Sequence, residues 1–250
     1  MFSPMSSDLV VIDYGGSNLR SVVKALESLG ASPKVATSPE PLAHARAVIL
    51  PGVGAAGQIM RSLRERGLDE AIHGFIASGR PYLGVCMGMQ VLMEASDEDG
   101  GQTCLGVFPG RVQRMPATVK VPHIGWNTVE QQPTVEQQPD DGPSSTLAQR
   151  NVNPTGPAER WSSGTLVEQR SVPGCSWAWT DIPDHSYFYF VHSYAVQPSD
   201  PSLVAGATEH GVPFASALGR DNVFGTQFHP EKSGRFGLQL YRNFLTWASV

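Results

Sequence analysis

The residues best equipped for chemistry in this chain are a cysteine, Cys86, and a histidine–glutamate pair, His229 and Glu231. Cys86 stands in GVCMGMQ (84–90), with Gly84 and Gly88 two residues to either side. The apolar run PYLGV before it reads as a buried strand, and MGMQVLMEA after it, with Met89, Leu92 and Met93, reads as a buried helix. Small residues two places either side of a nucleophile mark a nucleophile elbow. This is a sharp strand-to-helix turn whose strained backbone leaves room only for hydrogens beside the reactive group. The sulfur would sit at a helix N-terminus, where the dipole and free N–H groups favour thiolate over thiol. The bland alternative is a buried cysteine that happens to lie between glycines.

The second segment is VFGTQFHPEKS (223–233). The run to Phe228 reads as a strand, and residues two apart in an extended chain point to the same side, so His229 and Glu231 project together. Pro230 cannot extend a central sheet, which places the pair at a strand end. A thiol nucleophile needs this pairing: the imidazole takes the sulfur proton, and the carboxylate holds the ring and steadies the imidazolium. Alone, the segment would read as a surface loop; beside the cysteine elbow, the catalytic reading prevails.

Together GVCMGMQ and QFHPEKS resemble the class I (triad) glutamine amidotransferases. Four further segments, VIDYGGSNLRSV (11–22), LPGVGAAG (50–57), VPHIGWN (121–127) and YFYFVHSY (187–194), resemble the glutaminase subunits of imidazole glycerol phosphate synthases within that family. The resemblance runs from about Leu9 to the C-terminus and implies hydrolysis of L-glutamine to glutamate and ammonia through a cysteine thioester. In that scheme Cys86 is the nucleophile, His229 the general base and acid, and Glu231 its orienting carboxylate. Oxyanion donors would come from the Met87 N–H and from Gly52 or Val53, in a glycine loop able to switch. Glutamine would be held by the Gln90 side chain and by the backbone of Ser193 and Tyr194. His192, set in a strand between Val191 and Ser193, suits a structural role, and His123 and His185 have weaker claims.

Ammonia must reach an acceptor site, and no phosphate-binding glycine loop or nucleotide fingerprint provides one here. The resemblance implies a heterodimer with a (β/α)8-barrel cyclase subunit, which makes imidazole glycerol phosphate and aminoimidazole carboxamide ribotide in histidine biosynthesis. PHIGWN, with Trp126 and Asn127, is a candidate docking face, with a buried tryptophan corner as the alternative. No cofactor or metal is implied, since the histidines lack ligand spacing. The chain departs from the family at His210, where many relatives carry tyrosine, and at Met87, where leucine is usual. Rival readings are a glutaminase subunit serving anthranilate, aminodeoxychorismate or pyridoxal phosphate synthesis, a stand-alone Cys-His hydrolase, and a catalytically dead binding subunit.

The elements that must position these residues follow from periodicity. LVVID (9–13), PKVA (33–36) and AVIL (47–50) read as strands. A helix capped by Ser17 or Asn18 carries an apolar stripe of Leu19, Val22, Val23, Leu26 and Leu29 and stops at Gly30; helical spacing also runs from Ile59 to Ile76. Short alternating strands follow, GVFPGRVQRM, YFYFVHSYAV, LVAGATE, VPFASAL and VFGTQF, before a closing helix over 234–250. This predicts one α/β domain over 8–250: a flavodoxin-like, three-layer α/β/α, mainly parallel sheet with an antiparallel extension. The stretch 131–176 is poor in aliphatics, rich in Gln, Pro, Ser and Gly, and repeats TVEQQP at 128–133 and 134–139. It reads as a low-complexity surface insertion.

With 250 residues and a net charge of −5, the chain can bury a large core and shows no basic footprint for nucleic acid. No apolar run has membrane-spanning length, and MFSPMSSDLVV lacks the features of a signal peptide. Three cysteines in no pairing pattern fit a reducing compartment, so the expected location is the cytoplasm.

Overall fold

The structure, a computed structural model, describes residues 8–16, 18–132 and 175–250. The expected insertion, apart from its outermost residues, lies outside the described residues. Gln131 itself still belongs to a strand.

The first half alternates strands and helices. β1 (Leu9–Ile12) is buried at all four positions, the pattern of a strand covered on both faces. α1 (Leu19–Ser28) buries Val22, Ala25 and Leu26, and Gly30, at φ +88, ends the turn beyond it. β2 (Lys34–Ala36) and the short α2 (Glu40–His44) lead to β3 (Ala47–Gly52), which runs two residues past the expected end at Leu50. The single helical stretch expected over 59–76 is two helices, α3 (Ala56–Glu65) and α4 (Leu68–Ala77). Gly67 separates them at φ +66, a left-handed angle that costs a glycine little.

β4 (Tyr82–Cys86), wholly buried, runs into α5 (Met87–Gln90). Here the expectation of a longer helix was wrong. Met93 opens a strand, β5 (Met93–Ser96), so Leu92 and Met93 are core residues of a turn and strand rather than of a helix stripe. β6 (Gln102–Thr103), β7 (Phe108–Arg114) and β8 (His123–Gln131) follow, and Leu105 N–H bonds back to the Val91 carbonyl across the crossing. The expected single strand YFYFVHSYAV is broken at Ser193 into β9 (Ser186–His192) and β10 (Tyr194–Pro198). β11 (Val204–Glu209), β12 (Pro213–Arg220), β13 (Val223–Thr226) and the closing α6 (Gly234–Ala248) complete the chain.

The sheet runs β2-β1-β3-β4-β13-β12-β10-β7-β5-β6, with β11 joining β12 to β8 and β9 paired to β8. The links from β2 through β13 are all parallel, whereas β13–β12, β12–β10 and β10–β7 are antiparallel. The fold is thus the expected flavodoxin-like α/β sheet with an antiparallel extension. Among the described residues the buried apolar side chains form one continuous cluster. No helix among them is long and apolar enough to cross a membrane.

Candidate active site

The elbow is built from β4, α5 and the end of β3. Cys86 has φ 54 and ψ −109, a left-handed angle uncommon outside glycine, and is 3% exposed. Such an outlier persists only where surrounding packing over-determines it, and it clusters at functional sites. The packing is visible in the two flanking glycines. A Cβ on Gly88 would stand 1.8 Å from the Leu50 carbonyl oxygen, and one on Gly84 would stand 2.5 Å from the Gly88 carbonyl oxygen. Helix α5 therefore presses directly on β3 and β4. At four residues it carries only a small dipole, so the expected help to a thiolate reduces to the N–H groups of its first turn, Met87 first.

His229 approaches from β13, the strand paired in parallel with β4. Its backbone is pinned three ways: His229 N–H donates to the Tyr189 carbonyl at 2.9 Å, and the His229 carbonyl accepts from Ser233 Oγ at 2.6 Å and from Lys232 N–H at 3.0 Å. The chain does not stay extended here, as the sequence suggested. Pro230–Lys232 forms a single 3-10 turn. A Cβ on Gly237 would come within 1.9 Å of the Pro230 carbonyl oxygen, so α6 packs flush against this turn. The turn brings the Glu231 carboxylate to 2.7 Å from His229 Nδ1, with both side chains almost wholly buried.

With Nδ1 bound to Glu231, Nε2 is the ring atom left to face a thiol, and it is buried without a hydrogen-bond partner among the described residues. The ring and the Cys86 sulfur interact electrostatically without a fully formed hydrogen bond. Burial works against an imidazolium, but the negative charge of a Cys86 thiolate and the Glu231 carboxylate outweigh it and raise His229 to about 10. Burial likewise opposes the Glu231 charge, and the hydrogen bond and charge of His229, with help from Asn18, hold the carboxyl below its ordinary value. An imidazole held by a buried carboxylate and turned toward a thiol is the arrangement a thiol nucleophile needs in its base.

Ser17 or Asn18 was expected to cap α1, and Ser17 lies outside the described residues. Asn18 occupies the N-cap position, yet its side chain makes no cap hydrogen bond. Its Nδ2 donates instead to Glu231 Oε1 and lies 3.4 Å from His229 Nδ1. Tyr241 Oη adds a long contact to Glu231 Oε2 at 3.4 Å.

The other expected residues fall on the neighbouring strands and loops. Gly52 lies opposite Cys86 in the β3–β4 ladder, and a Cβ there would be 2.7 Å from Met87 Cβ. Val53 follows at the mouth of the glycine loop and bonds to Tyr14 Oη. Gln90 Nε2 donates to the Tyr194 carbonyl and to Gln227 Oε1, each at 2.9 Å, so only its Oε1 is left open. Gln227 Nε2 in turn lies 3.6 Å from Cys86 Sγ. The Ser193 carbonyl accepts from Met115 N–H at 3.0 Å. A crevice lined by Ile12, Asp13, Tyr14, Gly16, Asn18, Leu19, Pro51 and Gly52 opens at the C-terminal ends of β1 and β3, where ligands settle in sheets of this kind.

Both ring nitrogens of His192 are engaged. Its Nε2 lies 3.0 Å from His123 Nδ1, and its Nδ1 lies 2.9 Å from the Tyr194 carbonyl. Burial lowers His123 to about 4 and His192 to about 3. His210 stacks on His123 with ring centroids 4.1 Å apart, and its Nε2 lies 2.8 Å from the Lys120 carbonyl. His185 is exposed and pairs with Asp184. Trp126 is 55% exposed and Ile124 59%, which removes the buried-corner alternative for PHIGWN. Among the described residues no group of three or more His, Cys, Asp or Glu side chains is placed to hold a metal ion.

Sequence reasoning missed Tyr14, Gln227 and Glu98 and misread Asn18. Glu98 is half-buried, and its carboxylate accepts from Ala56 N–H at 2.7 Å, the first residue after the glycine loop; burial raises its carboxyl. The available signal for Tyr14 and Asn18 was their place in VIDYGGSN, just beyond a parallel strand.

The family profile described as Glutamine amidotransferase class-I matches residues 10–247. "Imidazole glycerol phosphate synthase subunit HisH" of Desulfitobacterium hafniense (strain DSM 10664 / DCB-2) is 42% identical over 239 residues, covering 96% of this chain and 94% of that protein. The protein of the same name from Nitrosococcus oceani is 42% identical over 249 residues, covering 98% and 99%. A solved glutamine amidotransferase superposes with TM-score 0.64 at 18% identity, covering 96% of this chain and 99% of its own. The structure of PurLQS from Thermotoga maritima does so with TM-score 0.62 at 17% identity, covering 96% and 97%. These two likenesses speak to the fold; the profile and the close relatives speak to descent. The chain belongs to the class-I glutamine amidotransferase family.

Proposed function

We propose that this chain is the glutaminase subunit of an imidazole glycerol phosphate synthase, with Cys86, His229 and Glu231 as its catalytic relay. The observation that carries the reading is the buried His229–Glu231 contact, at 2.7 Å, facing a cysteine held at φ 54 on a strand-to-helix elbow. The relatives' shared name supports the subunit's place in that synthase.

The chemistry balances as follows. The Cys86 proton passes to His229 Nε2, and the sulfur attacks the carboxamide carbon of glutamine to give a tetrahedral oxyanion. The Met87 N–H and the glycine loop at Gly52 or Val53 stabilise that charge. Collapse breaks the C–N bond, His229 returns its proton to the departing nitrogen, and ammonia leaves a γ-glutamyl thioester on sulfur. Water, deprotonated by the same imidazole, attacks the thioester carbonyl; glutamate departs and the thiol is restored. Gln90 Oε1 and the backbone near Tyr194 would hold the amino-acid end of the substrate.

Ammonia protonates in bulk water and loses its nucleophilicity, so a cyclase barrel docked over the site is its natural consumer. The exposed Ile124 and Trp126 face on β8 suits that docking. The test is reconstitution with a (β/α)8-barrel cyclase subunit. Cys86→Ala should abolish glutamine-dependent synthesis while leaving synthesis from ammonium salts intact. Loss of both, or of neither, contradicts the assignment. Reconstitution by an anthranilate or pyridoxal phosphate partner instead would place the subunit in a different synthase.

A further inference from the structure

Cys86 stands between two neighbours in the sheet. Gly52 on β3 is level with it and brings no side chain. On the other side Thr226 of β13 is level with Val85 of β4. The next residues, Gln227 and Cys86, therefore leave parallel strands together and point the same way. Gln227 is wholly buried, and its N–H is bonded to the Ser216 carbonyl at 2.8 Å. Its Nε2 lies 3.6 Å from Cys86 Sγ, within reach of a hydrogen bond to sulfur.

Which end of that amide faces the sulfur is decided by the chain of bonds behind it. The Tyr194 carbonyl can only accept, so the nitrogen end of Gln90 must face it. The second N–H of Gln90 Nε2 then donates to Gln227 at 2.9 Å, and the atom that receives it must be Oε1. Gln227 is left presenting Nε2, a donor, to Cys86. A thiol gains little from such a neighbour, since its sulfur is a weak acceptor. A thiolate gains a charge-assisted bond, roughly twice as strong as a neutral one. The amide therefore discriminates between the two states of the sulfur while carrying no charge itself.

We propose that Gln227 is a further catalytic residue: its amide, turned by Gln90, donates to the Cys86 sulfur and holds the thiolate ready once His229 has taken the proton. The inference rests on the reading of Cys86 as a glutaminase nucleophile. It gives that nucleophile an uncharged stabiliser beside its base.

The test is the pH profile of Cys86 alkylation by iodoacetamide in the isolated full chain, read by mass spectrometry on the peptide carrying Cys86. His229 and Tyr14 also feel the charge of the sulfur, and both are kept in every variant used. Gln227→Met keeps the length of the side chain and removes the donor. The rising limb of the profile should move up by about one pH unit, the effect of losing one hydrogen bond to a charged group. The alkaline plateau should be equal or higher, because a thiolate stripped of a donor is the stronger nucleophile. A packing defect alone would lower the whole profile without moving it. A limb that stays in place, or a plateau that falls, overturns the donor role. Glutamine hydrolysis that survives Cys86→Ala overturns the reading of the site, and this proposal with it. Should Gln227→Met fail to fold, Gln227→Asn, which keeps an amide but draws it back from the sulfur by one methylene, carries the same expectation. It is overturned by the same unmoved limb.

Discussion

Gly52 pairs with Cys86 in the parallel ladder between β3 and β4, so the glycine loop leaves one strand at the level where the thiol leaves the next. The two strands end together because α5 lies across both, admitted by the absence of side chains at Gly84 and Gly88. The Cys86 thiol and the backbone of the glycine loop are thereby placed side by side at the carboxyl edge of the sheet, where neighbouring strand ends leave a crevice.

This arrangement makes Gly88 unforgiving. A methyl group there would meet the Leu50 carbonyl oxygen at 1.8 Å, so Gly88→Ala must push α5 off β3. Loss of more than about 3 kcal/mol of stability is expected, as for other overpacking at a rigid site. Urea unfolding of the variant would measure it. A cost below about 1 kcal/mol would show that the elbow is not held as described.

Glu231→Gln keeps the shape of the carboxylate and removes its charge. The charges of Cys86 and Glu231 raise His229 to about 10 against burial, so the variant's imidazolium should lose its proton at lower pH. The alkaline limb of the kcat profile should shift downward, with kcat reduced by roughly a hundredfold to ten-thousandfold. The stability linkage has a matching sign. A raised folded-state value contributes stability that is complete below about 6.5 and lost as pH rises through about 10. The wild-type advantage over Glu231→Gln from this group should therefore shrink on the alkaline side. An unmoved alkaline limb would contradict the pairing.

The His123–His192 pair predicts acid sensitivity. Burial lowers these residues to about 4 and about 3, so the unfolded chain takes up their protons first. Stability from this source is flat above the ordinary histidine value of about 6.5 and falls as pH drops below it. The slope is at most about 1.4 kcal/mol per pH unit for each histidine. His192→Gln should flatten the decline in urea midpoint between about pH 6.5 and pH 4. An unchanged slope would mean that the two rings are not neutral in the fold.

Trp126 tests the docking face. It is 55% exposed and supported edge-on by Tyr189 at 6.1 Å. Trp126→Ala should leave hydrolysis by the isolated chain unchanged and weaken cyclase binding by about 2 kcal/mol, the usual cost of removing an anchoring tryptophan. Titration calorimetry would show it. Equal affinity for both forms would move the interface elsewhere.

Much of this was legible because it is local. The elbow follows from Gly84, Cys86 and Gly88, and the parallel strands from unbroken apolar runs such as LVVI and AVIL. Strand breaks were less legible. Leu92 and Met93 keep helical spacing, but the sheet pairs Met93 with Phe108, and tertiary pairing overrides the local pattern. The expected extended His-Pro-Glu is a 3-10 turn because the packing of α6 on Pro230 decides its path, and α6 lies later in the chain. Asn18 read as a cap because a sequence shows its neighbour, Leu19, but not Glu231, which only the fold brings to its amide. Tyr14 escaped for the same reason: its partner is a backbone group 39 residues away.

The most direct measurement of the central claim is mass spectrometry of the chain quenched in acid during turnover of glutamine, followed by digestion. A relay of Cys86, His229 and Glu231 predicts one γ-glutamyl adduct on the peptide carrying Cys86, accumulating when water attack is slowed and absent in Cys86→Ala. Turnover that proceeds at full rate with no adduct on Cys86, or with an adduct on Cys104 or Cys175, would contradict it.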